Sequence, residues 1–169
     1  ANTFLAARGL KMADSLVEAD AVDTAAELLA RGSGKLRLPV DLVLADAFDA
    51  AAQKKVVPTG DVPDGWRVLD IGPQTVAEFA RVIAEAGTVV WNGPMGVFEF
   101  PAFAEGTYGV AKAVAASGAI SVIGGGESVA AIQQSGLADK ITHISTGGGA
   151  SLEMLEGLVL PGLAALQDK

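Results

Sequence analysis

Three short apolar runs each end in a turn rich in glycine, and this recurrence restricts the fold more than any other feature of the chain. Thr88–Trp91 leads into Asn92-Gly93-Pro94-Met95-Gly96, and Ile120–Ile123 leads into Gly124-Gly125-Gly126-Glu127-Ser128. Ile141–Ile144 leads into Ser145-Thr146-Gly147-Gly148-Gly149-Ala150-Ser151. Stretches with helical spacing follow the last two turns. Strand, glycine turn, helix is how an α/β fold presents bare backbone N–H groups to a phosphate. An ordinary tight connection needs only one glycine, whereas the last two turns carry three each, at a conformational-entropy cost that a plain turn does not require. Several such turns in one chain predict a shared crevice for a nucleotide.

The remaining pattern fits the same class. Asn2–Arg8 has helical character. Ala13–Arg31 places Leu16, Val17, Ala21, Ala25, Leu28 and Leu29 on one side, which predicts a long helix closed by Ser33-Gly34. Val40–Ala45 reads as a strand buried in a parallel sheet. Lys54–Val57 and Arg67–Ile71 read as further strands, with the turn cluster Asp61–Gly65 between them. Thr75–Ala86 is amphipathic, with Val76, Phe79, Ala80 and Ile83 opposite Glu78, Arg81 and Glu85. After strand Thr88–Trp91 and loop Asn92–Phe100 come helix Glu105–Ser117, strand Ile120–Ile123 and helix Ser128–Gln134. Strand Ile141–Ser145, helix Ala150–Glu156 and a short terminal piece over Leu160–Gln167 complete the chain. Alternating strands and helices predict one doubly wound, three-layer α/β/α Rossmann-like domain over residues 1–169, with a mainly parallel sheet of five or six strands.

Composition narrows the function classes. At 169 residues and 50% hydrophobic the chain has enough apolar material for a full core. Its net charge of −8 argues against a nucleic-acid backbone binder, which carries a basic face. Without cysteine it has no disulfide framework, thiol nucleophile or thiolate metal site. No apolar stretch has membrane-spanning length and the start lacks a basic, apolar leader, so a cytoplasmic protein is the default expectation. The first residue is Ala1, not Met, which suggests a cut chain or part of a longer one.

Chemistry in an open parallel sheet sits beyond the carboxyl ends of its strands, where all three turns fall. Neither the P-loop pattern nor the dinucleotide G-x-G-x-x-G fingerprint is present, which disfavours an α/β oxidoreductase. Glu127 opens a helix. It could hold Mg²⁺ against nucleotide phosphates, or it could be a helix-start acid favoured by the macrodipole. Glu99 could accept from ribose hydroxyls or be a solvated loop acid. His143, the only histidine, fits a packed or edge strand position better than a general base. Trp91 and Phe98 read as core or crevice wall. Asp14, Glu18, Asp20 and Asp23 read as a solvated helix face. Between Val82 and Asp139 the only cation is Lys112, whereas phosphoryl transfer normally uses Lys or Arg at the transferring group. The turns therefore offer backbone donors and a carboxylate without a complete transferase site.

Longer strings carry a resemblance. Ala1-Asn2-Thr3-Phe4-Leu5, Leu38-Pro39-Val40-Asp41, Ala45-Asp46, Asp70-Ile71-Gly72-Pro73, Val90–Glu99 (VWNGPMGVFE), Ile123–Ser128 (IGGGES), His143–Glu153 (HISTGGGASLE) and Leu160-Pro161-Gly162 resemble the C-terminal, nucleotide-binding domain of the phosphoglycerate kinases, nearly end to end. The resemblance implies a two-lobed, hinged enzyme, a phosphotransferase with a carboxyl acceptor. It would exchange a phosphoryl group between 1,3-bisphosphoglycerate and ADP, giving 3-phosphoglycerate and Mg·ATP. Carried over to this chain, Asn92, Gly93 and Pro94 flank the nucleotide, Leu69 packs on the adenine and Glu99 holds the ribose. Gly125, Gly126, Glu127 and Ser128 meet phosphates and Mg²⁺, with the metal held by Glu127 through the nucleotide. Gly148 and Gly149 face the phosphoryl group in transfer. Glu127 replaces the family's usual Asp, which places the metal geometry one methylene out, and Leu158 replaces a common Lys. The resemblance also implies that an N-terminal lobe with an arginine-rich phosphoglycerate site, and the start of this lobe with its adenine-side glycines and a lysine, lie outside the chain. A monomeric, inactive nucleotide-binding piece is the expectation. The rival is a stand-alone adenine-nucleotide-binding or interaction module.

Overall fold

The computed structural model describes residues 1–32, 34–145 and 147–166. Its residues fall into two compact units. The first comprises Ala1–Phe79 and Met95–Val110; the second comprises Ala80–Pro94 and the described residues from Ala111 onward.

In the first unit, helices α1 (Asn2–Ala7) and α2 (Val22–Arg31) accompany strands β1 (Asp41–Ala45), β2 (Lys54–Pro58) and β3 (Arg67–Ile71). The strand order is β2-β1-β3, and both pairings are antiparallel. Every residue of β1 is buried, so its two faces feed two clusters. Leu42 and Leu44 pack with Leu5, Met12 and Val62. Val43 and Ala45 pack with Leu69 and Phe103. Each large side chain buried this way contributes about 1.5–3 kcal/mol.

A polar joint ties β1 to the start of α3 (Pro73–Ala84). Asp41 is buried, and both of its carboxylate oxygens are hydrogen-bonded. Oδ1 accepts from the Thr75 N–H at 2.8 Å and the Thr75 hydroxyl at 2.6 Å, and Oδ2 accepts from the Gln74 N–H at 3.0 Å. These are first-turn groups of α3, which no helical carbonyl serves. Gly72 lies so close that a Cβ there would run into the Asp41 carboxylate.

In the second unit, β4 (Thr88–Asn92), β5 (Ile120–Gly124) and β6 (His143–Ile144) form a parallel sheet in the order β4-β5-β6. Helices α5 (Gly126–Gln134), α6 (Gly148–Leu155) and α7 (Pro161–Ala164) belong to this unit, and α4 (Glu105–Ala116) ends in it. Trp91, Ile123, Ala131 and Ile132 are buried here. The chain is thus α/β and Rossmann-like, with its parallel pairing confined among the described residues to β4, β5 and β6.

Three sequence expectations need correction. Val40–Ala45 forms a strand, but its neighbours run antiparallel, because an apolar run reports burial and not the direction of its partners. The described strands form two three-stranded sheets, not one sheet of five or six strands. The long helix over Ala13–Arg31 shortens to α2, preceded by a 3₁₀ turn at Ala19–Ala21. Ala13 adopts φ 44°, a left-handed value that interrupts a helix. The segment after it bonds to β3 and the residue before that strand instead: the Asp14 N–H donates to the Trp66 carbonyl, and Ser15 Oγ accepts from the Val68 N–H. The acidic run is exposed as expected, but Asp14 and Glu18 do not lie on a helix. Ser33, expected to close the helix, Thr146 of the third turn and Gln167 of the terminal piece lie outside the described residues.

Candidate functional site

The register of the parallel sheet brings the three glycine turns to one edge. Asn92 at the end of β4 is level with Gly124 at the end of β5, and Ile123 is level with Ile144 in β6. The chain leaves all three strands on the same side, as the alternation of strand, turn and helix requires.

Backbone meets backbone there. A Cβ on Gly148, at the start of α6, would press into the amide nitrogen of Gly125 and lie 2.7 Å from its Cα. Only glycine permits that approach. Gly125 has φ 83°, a left-handed conformation that turns β5 sharply into α5. The side chain of Asn92 fills the seam: a Cβ on Gly125 or Gly124 would come within 2.8 or 3.2 Å of its Oδ1. Around Gly126 and Gly149, by contrast, a Cβ would meet nothing within 4 Å. These two glycines head the first turns of α5 and α6, where N–H groups lack intrahelical partners and the macrodipole is positive.

Side chains brace the turns from behind. Ser128 is fully buried, and its Oγ accepts from the Gly93 N–H at 2.5 Å, linking the first turn to α5. The Trp91 indole N–H donates to the Gly93 carbonyl at 2.6 Å. Ser145 and Ser151 hydroxyls lie 3.0 Å apart, and the Ser151 hydroxyl donates to the Gly147 carbonyl at 3.1 Å. The Gly147 N–H donates to Ser145 Oγ at 3.3 Å.

Glu127 is exposed in the first turn of α5. Asn92 is also exposed, Pro94 and Gly93 are half-buried, and Gly149 is open to solvent. His143 is an exposed residue of β6, the last strand of its sheet among the described residues. Among the described residues no cluster of three or more His, Asp or Glu could hold a metal. Glu127 is the one carboxylate of these turns, and Mg²⁺ prefers a few carboxylates together with phosphate oxygens. The open glycines leave room for those oxygens.

Glu99 and Leu69 lie in the first unit. Glu99 is exposed on the loop before α4. Leu69 packs against Val43, Ala45 and Phe103 and keeps only 6% exposure, so nearly all of its side chain serves the core. Phe98 is buried, as a core or wall residue should be.

Sequence reasoning missed the anchor of the Glu99 loop. Asp70, 1% exposed, accepts from the Gly106 N–H at 2.7 Å with Oδ2 and from the Ile71 N–H at 2.9 Å with Oδ1. A Cβ on Gly96 or Gly106 would collide with this carboxyl. The Val97 N–H donates to the Leu69 carbonyl at 2.8 Å, and Thr107 Oγ1 accepts from the N–H groups of Met95 and Gly96. Burial pushes the Asp70 carboxyl up to about 6, against the opposing pull of the two N–H bonds. A charged residue inside the apolar run Val68–Ile71 was the available signal.

A parallel sheet whose strand ends bear close-packed glycine turns at helix N-termini defines a Rossmann-like α/β protein. Comparison with known proteins makes this particular. The family model of phosphoglycerate kinase matches residues 1–158. Phosphoglycerate kinase of Herpetosiphon aurantiacus is 62% identical over 100% of this chain and 44% of its own length. That of Chloroflexus aurantiacus is 60% identical over 99% of the chain and 44% of its own. The solved phosphoglycerate kinase of Coxiella burnetii superposes with a TM-score of 0.91 at 43% identity, covering 96% of this chain and 43% of that one. The chain belongs to the phosphoglycerate kinase family and spans less than half the length of these relatives.

Proposed function

We propose that this chain is the nucleotide-binding part of a phosphoglycerate kinase, a cytoplasmic enzyme that exchanges a phosphoryl group between 1,3-bisphosphoglycerate and ADP to give 3-phosphoglycerate and Mg·ATP. Family membership supports the reaction class. The observation that carries the binding role is the seam in which Asn92, Gly125 and Gly148 meet at the ends of parallel strands. In this reading, Asn92, Gly93 and Pro94 flank the nucleotide, and Glu99 accepts from the ribose. Leu69 borders the adenine through its small exposed remainder. Backbone N–H groups of Gly125 and Gly126 meet the phosphates, while Ser128 acts from behind by fixing Gly93. Gly148 and Gly149 face the transferring phosphoryl group, and the α6 dipole favours its charge by about 0.3–1 kcal/mol. Bound Mg²⁺ would neutralise charge on the phosphates, with Glu127 as its protein contact.

Calorimetric titration tests this reading. ADP should bind the chain more tightly with Mg²⁺ than without it, and Glu127→Gln should erase that difference while leaving metal-free binding in place. Equal affinity with and without Mg²⁺ in the unmodified chain would leave Glu127 as a helix-start acid only.

A further inference from the structure

We propose that the Asn92–Gly93 peptide is a site of spontaneous deamidation whose rate is governed by the Ser128 hydroxyl. The inference concerns the turn's covalent chemistry and holds whether or not the turn receives a nucleotide.

The chemistry needs a backbone nitrogen that can reach the preceding side-chain amide. Asn followed by Gly offers the least hindered case, because no Cβ shields the nitrogen. Gly93 has φ 109°, and nothing lies within 4 Å of where its Cβ would be. Asn92 is exposed, so water and base reach its amide. Two contacts oppose the reaction. The Gly93 N–H, which must lose its proton before attack, is held by Ser128 Oγ at 2.5 Å. Asn92 Oδ1 lies within 3.4 Å of where Cβ atoms on Gly124, Gly125 and Gly148 would be, so the glycine seam crowds the amide on that side. Ser128 is buried and α-helical, so its hydroxyl is a rigid partner, not a passing one.

The step balances without an added oxidant or reductant. A solvent base removes the Gly93 amide proton, the nitrogen bonds to Asn92 Cγ, and the Cγ–Nδ2 bond breaks, releasing ammonia. Water then opens the five-membered imide. Cleavage at Cγ gives aspartate, and cleavage at the main-chain carbonyl gives isoaspartate, with the chain rerouted through Cβ. Either product sets a carboxylate into the seam between the glycine turns, and the second also lengthens the backbone there.

The experiment is timed incubation of the folded 169-residue chain in mildly alkaline buffer, with peptide mapping for aspartate and isoaspartate at position 92. A synthetic peptide spanning residues 90–97 is incubated in parallel. The folded chain should deamidate more slowly than the peptide. Ser128→Ala should speed the reaction by about three- to tenfold, the equivalent of one lost hydrogen bond, and Ser128→Thr should keep the slow rate. Circular dichroism of each variant reports whether it folds. If Ser128→Ala does not fold, the unmodified chain against the peptide decides alone. Equal rates for folded chain and peptide, or a folded Ser128→Ala variant as slow as the unmodified chain, would overturn the proposal.

Discussion

The two units solve the same problem, holding a turn at the end of a strand, with opposite materials. In the first, buried carboxylates grip backbone N–H groups: Asp41 holds the start of α3, and Asp70 holds the start of α4 and its own strand end. In the second, backbone lies directly against backbone at Gly125 and Gly148, with hydroxyls of Ser128, Ser145 and Ser151 as braces. A carboxylate grip fills the space in front of a helix N-terminus. Bare glycine leaves that space open. The contrast explains why the helix starts of the first unit read as structural joints and those of the second as places where an external anion could take the carboxylate's position.

The largest expected effect concerns chemistry. The second unit has open donors but few cations, Lys112 being the only one between Val82 and Asp139. A coupled kinase assay on this chain alone should show turnover reduced by on the order of 10²–10³ or more relative to a full-length relative, since even one missing transition-state donor has that effect. Comparable turnover by the short chain would break the distinction between binding donors and transfer groups.

Next come the two kinds of joint. Asp41→Ala strands the N–H groups of Gln74 and Thr75, while the Thr75 hydroxyl keeps the Asp41 main-chain carbonyl, and should lower unfolding free energy by about 3 kcal/mol in urea titration. Gly148→Ala should destabilise by about 1–3 kcal/mol through overpacking against Gly125, whereas Gly126→Ala, which meets open space, should stay within about 0.5 kcal/mol. Equal effects of the two glycine substitutions would sink the close-packed seam.

The most gradual effect depends on pH. The Asp70 carboxyl sits at about 6 in the folded protein against an ordinary 3.8, so the folded state binds its proton more tightly than the unfolded state. Its contribution is most favourable below 3.8 and is lost as pH rises toward 6, by up to about 3 kcal/mol. Urea titrations between these limits should show that decline in the unmodified chain and a flatter profile in Asp70→Asn.

Much of this was legible in the residues. The glycine turns and strands β4 and β5 could be placed because apolar runs end at glycines whose number exceeds what a turn needs. The direction of strands around β1 could not, since Val40–Ala45 looks the same in either pairing. The helix expected from Ala13 failed because Ser15 and Asp14 bond to β3 and the residue before it, tertiary partners that periodicity does not register. Within the site, the exposed glycines announced themselves. The inward uses of Ser128 and Leu69 did not, because a hydroxyl after a glycine turn suggests a ligand contact, and a strand leucine does not say which surface it meets.

The two tryptophans divide along the same boundary. Trp66 belongs to the first unit, with the Lys55 ammonium 3.7 Å from its ring centre, and Trp91 belongs to the second, its indole donating to Gly93 of the first glycine turn. The chain therefore carries one tryptophan per unit. With Trp66→Phe and excitation on the red edge, beyond tyrosine absorption, emission comes from Trp91, and a shift in that signal reads the state of the glycine turn directly, without any added label.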